Sequence, residues 1–260
     1  MTGAPVAIER LVMLGADHRL FERVSAAATR SGRSALATSP GAVPEPRFWA
    51  SKGNRNYPNE DACCVVECGA TTVLAVADAH FGRESSHALI AAIAACPPAC
   101  DGTAFDELLH RLAALPPPEN SATATTLVVT VIDRASGEGR ALCFGDSRLV
   151  VLEREGGVRE PVVPDRDFVR PGGRESLLRA QPLHRFAIAV GDLVVAYTDG
   201  LCDAFGDGVG VEPARLRELA VANAWDPLAL ARAAGEAALA EPSPGAACGR
   251  DNLAIAVTRV

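Results

Sequence analysis

Acidic residues recur at the ends of apolar, strand-like runs along this 260-residue chain. Five aspartates stand at the ends of such runs, next to them or one residue away: Asp61, Asp78, Asp146, Asp199 and Asp251. Any one alone is typical of a turn, since Asp side chains hydrogen-bond nearby backbone amides. Carboxylates that converge at one sheet edge repel each other unless cations neutralise them, and hard ions such as Mg²⁺ or Mn²⁺ prefer oxygen ligands. The joint pattern therefore predicts a divalent-metal site where a coordinated water could become a nucleophile.

Hairpins and helix pairs must position these aspartates. Two apolar, β-branched runs at 62–67 and 71–77 flank a glycine-containing turn, which predicts a β-hairpin. Helical spacing predicts a helix from about Ser85 to Pro97 and a second around 105–112. The other predicted elements are strands at 125–133, 140–144, 149–153, 186–190, 193–197 and 253–257, and helices from about Pro213 and Pro227, the latter with Asp226 as N-cap. This order lacks strict βαβ alternation and predicts an α+β domain of mainly antiparallel sheet covered by helix pairs.

The first 45 residues have a different character. The mixed apolar and charged stretch from Ile8 to Ala37 predicts a helix, and the following TSPGAVPEP is typical of a linker. We therefore expect an N-terminal extension at 1–45 and the main domain at 46–260.

Charge and hydropathy narrow the possible partners. The net charge of −7 disfavours nonspecific nucleic-acid binding, and no apolar stretch approaches the roughly 20 residues of a membrane helix. The N-terminal segment has charges within its apolar part, which makes a poor secretory signal. We expect a cytoplasmic monomer without nucleic-acid or membrane partners.

The eight cysteines do not indicate a disulfide framework. Four of them lie in or beside apolar runs, where a reduced cysteine acts as a small hydrophobe: Cys63, Cys64, Cys143 and Cys202. Cys96 and Cys100 form an isolated C-x3-C pair, whereas structural zinc requires four ligands.

The ordered motifs NEDA, VADAH, ATTL, FGDSR, YTDGLCD and RDNLAIAV resemble the PP2C, or PPM, family of serine/threonine protein phosphatases. The resemblance extends from about Arg47 to Val260. It implies a two-sheet antiparallel β-sandwich flanked by helix pairs. It also implies two divalent cations, Mn²⁺ or Mg²⁺, with a third, weaker site, and hydrolysis of phosphoserine or phosphothreonine by a hydroxide that bridges the two metals.

The resemblance assigns a metal-binding role to several positions. Asp61 and Asp78 match ligands of the binuclear centre, with Asp78 bridging both ions and the backbone carbonyl of Ala79 as a further ligand. Asp199 and Asp251 match the remaining metal aspartates.

Three further positions match supporting roles in the same family. Glu60 would hold metal-bound water from the second shell, and Asp146 matches the third metal position. His80 matches the general acid that protonates the leaving serine or threonine oxygen, a role worth about 10²–10⁴-fold in rate.

The chain departs from the family pattern at the glycine-rich turn and at the phosphate-binding arginine. DAHFG replaces Asp-Gly-His-Gly-Gly, so Ala79 lacks the conformational freedom of glycine and Phe81 adds bulk beside His80. Asn56 occupies the place of the family's arginine. We expect Arg55, one residue earlier, to bind phosphate, with Lys52 as the substitute.

The segment between FGDSR and YTDG is also short, at about fifty residues, so a flap over the substrate must be small. The YTDG end is similar to bacterial phosphatases of stress and sporulation switches. The expected partners are phosphoproteins, the products of a serine/threonine kinase.

Two other readings of the sequence stay open. One is a catalytically weak PPM-fold module that binds phosphoproteins in a signalling switch. The other is a non-enzymatic α+β interaction domain whose aspartates are only turn residues. Hydrolysis of an aryl phosphate with and without Mn²⁺ separates them.

Overall fold

Two six-stranded antiparallel sheets form the centre of the molecule, as seen in a computed structural model that describes residues 7–42, 57–96, 103–177, 182–202, 210–240 and 249–260. The first sheet has the order β1 (Ile8–Leu14), β4 (Ala62–Cys68), β5 (Thr71–Ala77), β8 (Leu127–Asp133), β9 (Glu138–Phe144) and β12 (His184–Ala187). The second has the order β11 (Val158–Arg159), β10 (Arg148–Leu152), β13 (Leu193–Tyr197), β14 (Leu253–Arg259), β3 (Ser34–Ser39) and β2 (Ser25–Ala28). A short ribbon pairs β6 (Ala79–His80) with β7 (Ala124–Thr125).

The central strands are buried on both faces. On β4, Cys63 and Val65 point into the core between the sheets, while Cys64 and Val66 join the core on the outer side. Strands that are covered twice read as continuous apolar runs instead of alternating ones. This explains why the sequence shows uninterrupted runs at β4, β5, β13 and β14.

Helices cover the outer faces of both sheets. They are α1 (Glu84–Ala95), α2 (Thr103–Ala113), α3 (Arg174–Leu177), α4 (Pro213–Ala222) and α5 (Pro227–Ala240). The first helix packs on β4 and β5, and α5 packs on β3 and β14. The Asp226 carboxylate accepts the Ala229 N–H at 2.7 Å, so the predicted N-cap is confirmed. The predicted α+β sandwich with flanking helix pairs is confirmed as well. No described helix has the length and apolarity to cross a membrane.

The helix predicted between Ile8 and Ala37 is wrong, because this stretch forms three strands. β1 pairs with β4, placing Ile8 opposite Cys68, and β3 pairs with β14, placing Ser39 opposite Leu253. Tertiary context overrides the weak strand propensity of alanine and serine here, since every residue of β3 is buried between its neighbours and α5. The expected boundary near residue 46 lies outside the described residues, and the strands before it extend both sheets.

Candidate metal centre

The pairing of β4 with β5 brings two of the predicted ligands to one edge of the first sheet. Ala62 lies opposite Ala77, so Asp61 precedes and Asp78 follows the same end of the hairpin. Both aspartates are buried, and so is Glu60. Three acidic residues buried at one sheet end are costly unless charge is compensated.

The second sheet is tied to this end by a buried threonine. Thr198, which directly precedes Asp199, donates its hydroxyl to the Asp61 carboxylate at 2.7 Å. The same hydroxyl accepts the Ala254 N–H at 2.8 Å. Asp199 is thereby placed, half-buried, in the turn beside the Asp61 end of the sandwich.

Asn252 makes a second tie between the sheets. Its side-chain oxygen accepts the Glu60 N–H at 2.8 Å, and its own N–H donates to the Asp251 carboxylate at 2.7 Å. Gly200 makes this approach possible, because a Cβ there would lie 1.9 Å from the Asn252 carbonyl oxygen. The turns that carry Asp199 and Asp251 therefore pack directly against each other.

Asp146 lies in the turn between β9 and β10, beside the same end. The Thr126 hydroxyl accepts the Asp78 N–H at 3.0 Å and is hydrogen-bonded to the Ser147 hydroxyl at 2.7 Å. Through Ser147, the residue after Asp146, these contacts link the turn that carries Asp146 to the segment that carries Asp78. The half-buried Asp146 is thus connected to the Asp78 segment through Ser147 and Thr126.

His80 lies at the rim of this group. Its Nε2 atom is 3.6 Å from the Asp78 carboxylate, and its ring meets the edge of Phe168 at a centroid distance of 5.0 Å. Ala79 lies in β6, opposite Thr125, and has no positive φ. The positive φ falls instead on Phe81, at 61°, and on Gly82. The strain of the DAHFG departure is therefore at Phe81, not at Ala79.

Several supporting residues were not predicted from the sequence. Thr198 and Asn252 are such residues, and the signal for both was a polar side chain directly beside an apolar strand. His87 of α1 is hydrogen-bonded to the backbone of Asp61, and burial, aided by Arg83, lowers its pKa to about 4. No local pattern marks it, because the contact depends on how α1 packs on the first sheet.

The predicted phosphate-binding residues Lys52 and Arg55 lie outside the described residues. Within the described part, two other cations lie near the segment that leads to Glu60. The guanidinium carbons of Arg19 and Arg83 are 4.1 Å and 3.9 Å from the centre of the Tyr57 ring. Such contacts hold guanidinium groups against an aromatic face.

The donor set at this end fits hard cations, but the described side chains do not form a ready-made cage. Among the described residues, no three His, Cys, Asp or Glu side chains are grouped closely enough to hold a metal ion. The available donors are carboxylate oxygens and the Ala79 carbonyl, all of the class preferred by Mg²⁺ and Mn²⁺. The segments that carry them converge at one end of the sandwich.

The buried cysteines are unsuited to nucleophilic chemistry. Burial raises the pKa of the Cys64 thiol to about 12 and that of Cys143 to about 12, and it also raises the pKa of Cys63 and Cys202. The thiolate is the nucleophilic form of cysteine. These four residues therefore remain protonated thiols within the core.

Comparison with known proteins gives results for structure only. No family model matches the chain, and no curated protein matches its sequence. Among solved structures, the PPM Ser-Thr phosphatase MsPP from Mycobacterium smegmatis, in complex with cacodylate, is 23% identical, with 87% of this chain and 97% of that chain covered and a TM-score of 0.57. The catalytic domain of the serine/threonine phosphatase PstP, in complex with two manganese ions, is 20% identical, with coverages of 91% and 99% and a TM-score of 0.57.

The chain therefore has the fold of the PPM serine/threonine phosphatases. The resemblance of its motifs to that family is confirmed at the level of the fold. A chain from work on the bacterial stressosome, a modular system adapted to control secondary messenger signalling, is also similar in structure to this chain. It is 17% identical, with 91% of this chain and 100% of that chain covered and a TM-score of 0.56.

Proposed function

We propose that this chain is a metal-dependent protein phosphatase that hydrolyses phosphoserine and phosphothreonine. The observation that carries the proposal is the convergence of acidic segments from both sheets at one end of a PPM-fold sandwich. Asp61 and Asp78 lie at the same end of a hairpin. Hydrogen bonds from Thr198 to Asp61 and from Glu60 to Asn252 hold the segments of Asp199 and Asp251 at that end.

Each predicted site residue has a role in this proposal. Asp61, Asp78, Asp199, Asp251 and the Ala79 carbonyl would hold two divalent cations. When bound, such ions would polarise the phosphoryl group and lower the pKa of coordinated water. Glu60, buried beside Asp61, would orient that water. Asp146 would contribute to a third, weaker site.

His80 would donate a proton to the leaving serine or threonine oxygen. Its ring is half-exposed, so a substrate could reach it, and its Nε2 lies 3.6 Å from the Asp78 carboxylate, beside the proposed metal ligands. Arg55, with Lys52 as the substitute, would hold the phosphate.

Cysteine-based phosphate transfer is disfavoured at the four buried thiols because their raised pKa values keep them protonated.

The deciding experiment combines turnover with metal binding. The purified chain is stripped with EDTA, dialysed, and assayed on an aryl phosphate and on a phosphoserine peptide with Mn²⁺, with Mg²⁺ and without metal. Mn²⁺ binding is measured separately by calorimetry. We expect metal-dependent turnover of both substrates, and Asp78→Asn should lose both turnover and Mn²⁺ affinity.

The matched control is Asp133→Asn. Asp133 ends β8 at the far end of the first sheet, where its carboxylate accepts the Ala135 N–H at 3.0 Å. This variant should keep wild-type turnover and metal affinity. Full activity of the wild type in excess EDTA, after exhaustive metal removal, would rule out the proposal.

The second candidate function is a phosphoprotein-binding module with weak or no turnover. One observation favours it: the likeness to the chain from the stressosome, a system adapted to control secondary messenger signalling. It predicts metal-assisted binding of a phosphoserine peptide without release of phosphate. Mn²⁺ binding without hydrolysis would select this candidate, and the lack of both binding and hydrolysis would leave the aspartates as turn residues.

A further inference from the structure

Two exposed phenylalanine rings flank His80. Phe81 is 55% exposed and Phe168 is 39% exposed, and among the described residues these are the exposed aromatic side chains. Both lie against the same imidazole, with ring centroids 6.5 Å from His80 for Phe81 and 5.0 Å for Phe168. Apolar surface is thus concentrated at the place where the reacting group would be protonated.

The chain holds Phe81 in a conformation that is unfavourable for its residue type. Its φ of 61° is in the left-handed region, which is uncommon for a bulky side chain. The Asn120 side-chain amide donates to the Phe81 carbonyl at 2.6 Å, and the Thr123 hydroxyl donates to the Gly82 carbonyl. Residues kept in strained conformations cluster at functional sites, and this one keeps an apolar ring in solvent.

Phe168 is held in place from a different part of the chain. Val169 and Thr125 exchange backbone hydrogen bonds of 2.9 Å and 3.0 Å, which adds a third segment beside β6 and β7. Val169 is fully buried, and side chains alternate along an extended segment, so Phe168 faces outward toward His80. The two rings are therefore fixed by backbone contacts on both sides of the imidazole.

We infer that Phe81 and Phe168 determine substrate specificity by contacting an apolar side chain next to the phosphorylated residue. The inference rests on the proposed function, since it takes the phosphate to lie beside His80. Consecutive Cα atoms are about 3.8 Å apart, so the neighbours of a phosphoserine at His80 come within reach of both rings. The substrate class is a phosphopeptide with an aliphatic or aromatic residue flanking the phosphoserine or phosphothreonine.

The test compares two phosphoserine peptides that differ only in the flanking residues, leucine on both sides or alanine on both sides. The kcat/KM ratio is measured in Mn²⁺ for the wild type, Phe168→Ala and Phe81→Gly. A leucine side chain that packs against half-exposed rings gains less binding free energy than one that is fully buried. We therefore expect kcat/KM of the wild type to be about fivefold higher for the leucine peptide. Each variant should bring the ratio close to one.

Two further variants serve as controls. Phe168→Leu keeps an apolar side chain and should keep most of the preference. Val221→Ala removes an apolar side chain that is 54% exposed on α4 and should leave the wild-type ratio unchanged. Melting temperatures of all variants would be measured to establish that each one is folded.

Affinity separates failure of this inference from failure of the proposed function. The same peptides with a non-hydrolysable phosphonate in place of phosphate are titrated by fluorescence anisotropy in Mn²⁺. A leucine preference in affinity without any hydrolysis would remove the phosphatase and keep the specificity role. Equal kcat/KM and equal affinity for the two peptides in the wild type would overturn the inference, as would no binding of either peptide. If Phe168→Ala lowers kcat/KM equally for both peptides, the Phe168 ring positions His80 and does not select the flanking residue.

Discussion

Two buried carboxylates lie at opposite ends of the hairpin strand β4, and their surroundings differ. Glu67, near the C-terminal end of β4, accepts hydroxyl hydrogen bonds from Thr29 at 3.0 Å, Ser31 at 2.8 Å and Ser34 at 2.6 Å. Arg33 lies 3.6 Å away. The carboxylate at this end is neutralised by donors from the β2–β3 hairpin, as expected of a structural acid.

Asp61, just before the N-terminal end of β4, lies among other acidic segments. Thr198 donates to its carboxylate, but the next residue of that segment is Asp199, and the preceding residue of its own segment is Glu60. Asp78 follows the partner strand at the same edge. Burial of a carboxylate therefore does not by itself indicate a functional site. At the Glu67 end of β4, hydroxyl and guanidinium donors of the protein neutralise the carboxylate. At the Asp61 end, further acidic residues lie nearby, an arrangement that suits a bound cation.

The largest expected effect is a separation of activity from stability between these two acids. Asp61→Asn should lower metal-dependent turnover by more than about 100-fold, since even partners of metal ligands typically contribute 10–100-fold. In EDTA its melting temperature should equal or exceed that of the wild type, because one repelling charge is removed.

Glu67→Gln is the matched variant at the other end. It should keep turnover but lose about 1–3 kcal/mol of stability, since an amide cannot accept all three hydroxyl donors. The measurements are phosphopeptide turnover and thermal unfolding with and without Mn²⁺. A stability loss in Asp61→Asn as large as that in Glu67→Gln would show that the two acids have the same structural role.

The next effect concerns the packing that brings the acidic segments together. In Gly200→Ala the new Cβ would lie 1.9 Å from the Asn252 carbonyl oxygen and 2.6 Å from its carbon, both of them backbone atoms. Overpacking typically costs 1–3 kcal/mol, and we expect about 3 kcal/mol here because β14 must shift. Chemical unfolding and Mn²⁺ titration should both show the loss. Gly157→Ala, where a Cβ meets nothing within 4 Å, should change neither.

A smaller effect is expected when the hydrogen bonds of the Thr198 hydroxyl, which connect the two sheets, are removed. Thr198→Val keeps the shape but deletes the hydroxyl that donates to Asp61 and accepts from Ala254. We expect a loss of about 1–3 kcal/mol in stability, together with weaker Mn²⁺ binding measured by calorimetry.

Thr130→Val is the control for this change. The Thr130 hydroxyl donates to the Arg140 carbonyl at 2.9 Å within the first sheet, away from the acidic residues. It should lose a similar amount of stability while its Mn²⁺ affinity stays at the wild-type value. Equal Mn²⁺ affinities in the two variants would mean that Thr198 serves the fold and not the site.

The sequence predicted the parts of this structure that depend on local pattern. The β4–β5 hairpin, the α1 helix and the Asp226 cap follow from apolar runs, helical spacing and capping chemistry. β2 and β3 were missed because the segments SAAA and SALATS contain only one β-branched residue, Thr38, and are otherwise mostly alanine and serine. β2 pairs with β3, and β3 pairs with β14, more than 200 residues away in the chain.

The same division holds for the candidate site. The aspartates were found because each one lies within two residues of the end of an apolar run. Phe168 was not, because its contact with His80 depends on the pairing of Val169 with Thr125, which no neighbouring residue indicates. Residues that touch the site through long-range pairing leave no mark in a single sequence.

The smallest expected effect is a pH dependence that belongs to Glu67 alone. Burial acts to raise the pKa of its carboxyl, but the hydroxyls of Ser34, Ser31 and Thr29, with Arg33, outweigh it, so the pKa lies below the ordinary value of 4.5. A carboxyl whose pKa is lower in the folded state than in the unfolded state stabilises the fold at pH values above the unfolded pKa. This stability is lost as the pH falls through the folded pKa.

The melting-temperature difference between the wild type and Glu67→Gln should therefore be constant from pH 7 to about 5 and shrink below 4.5. His87, with its pKa lowered to about 4, also reduces stability as the pH falls from 6.5, but it is present in both proteins and cancels in the difference. A difference that stays constant down to pH 3 would mean that the hydroxyl cluster does not favour the ionised carboxylate, and the contrast between the two ends of β4 would lose its electrostatic basis.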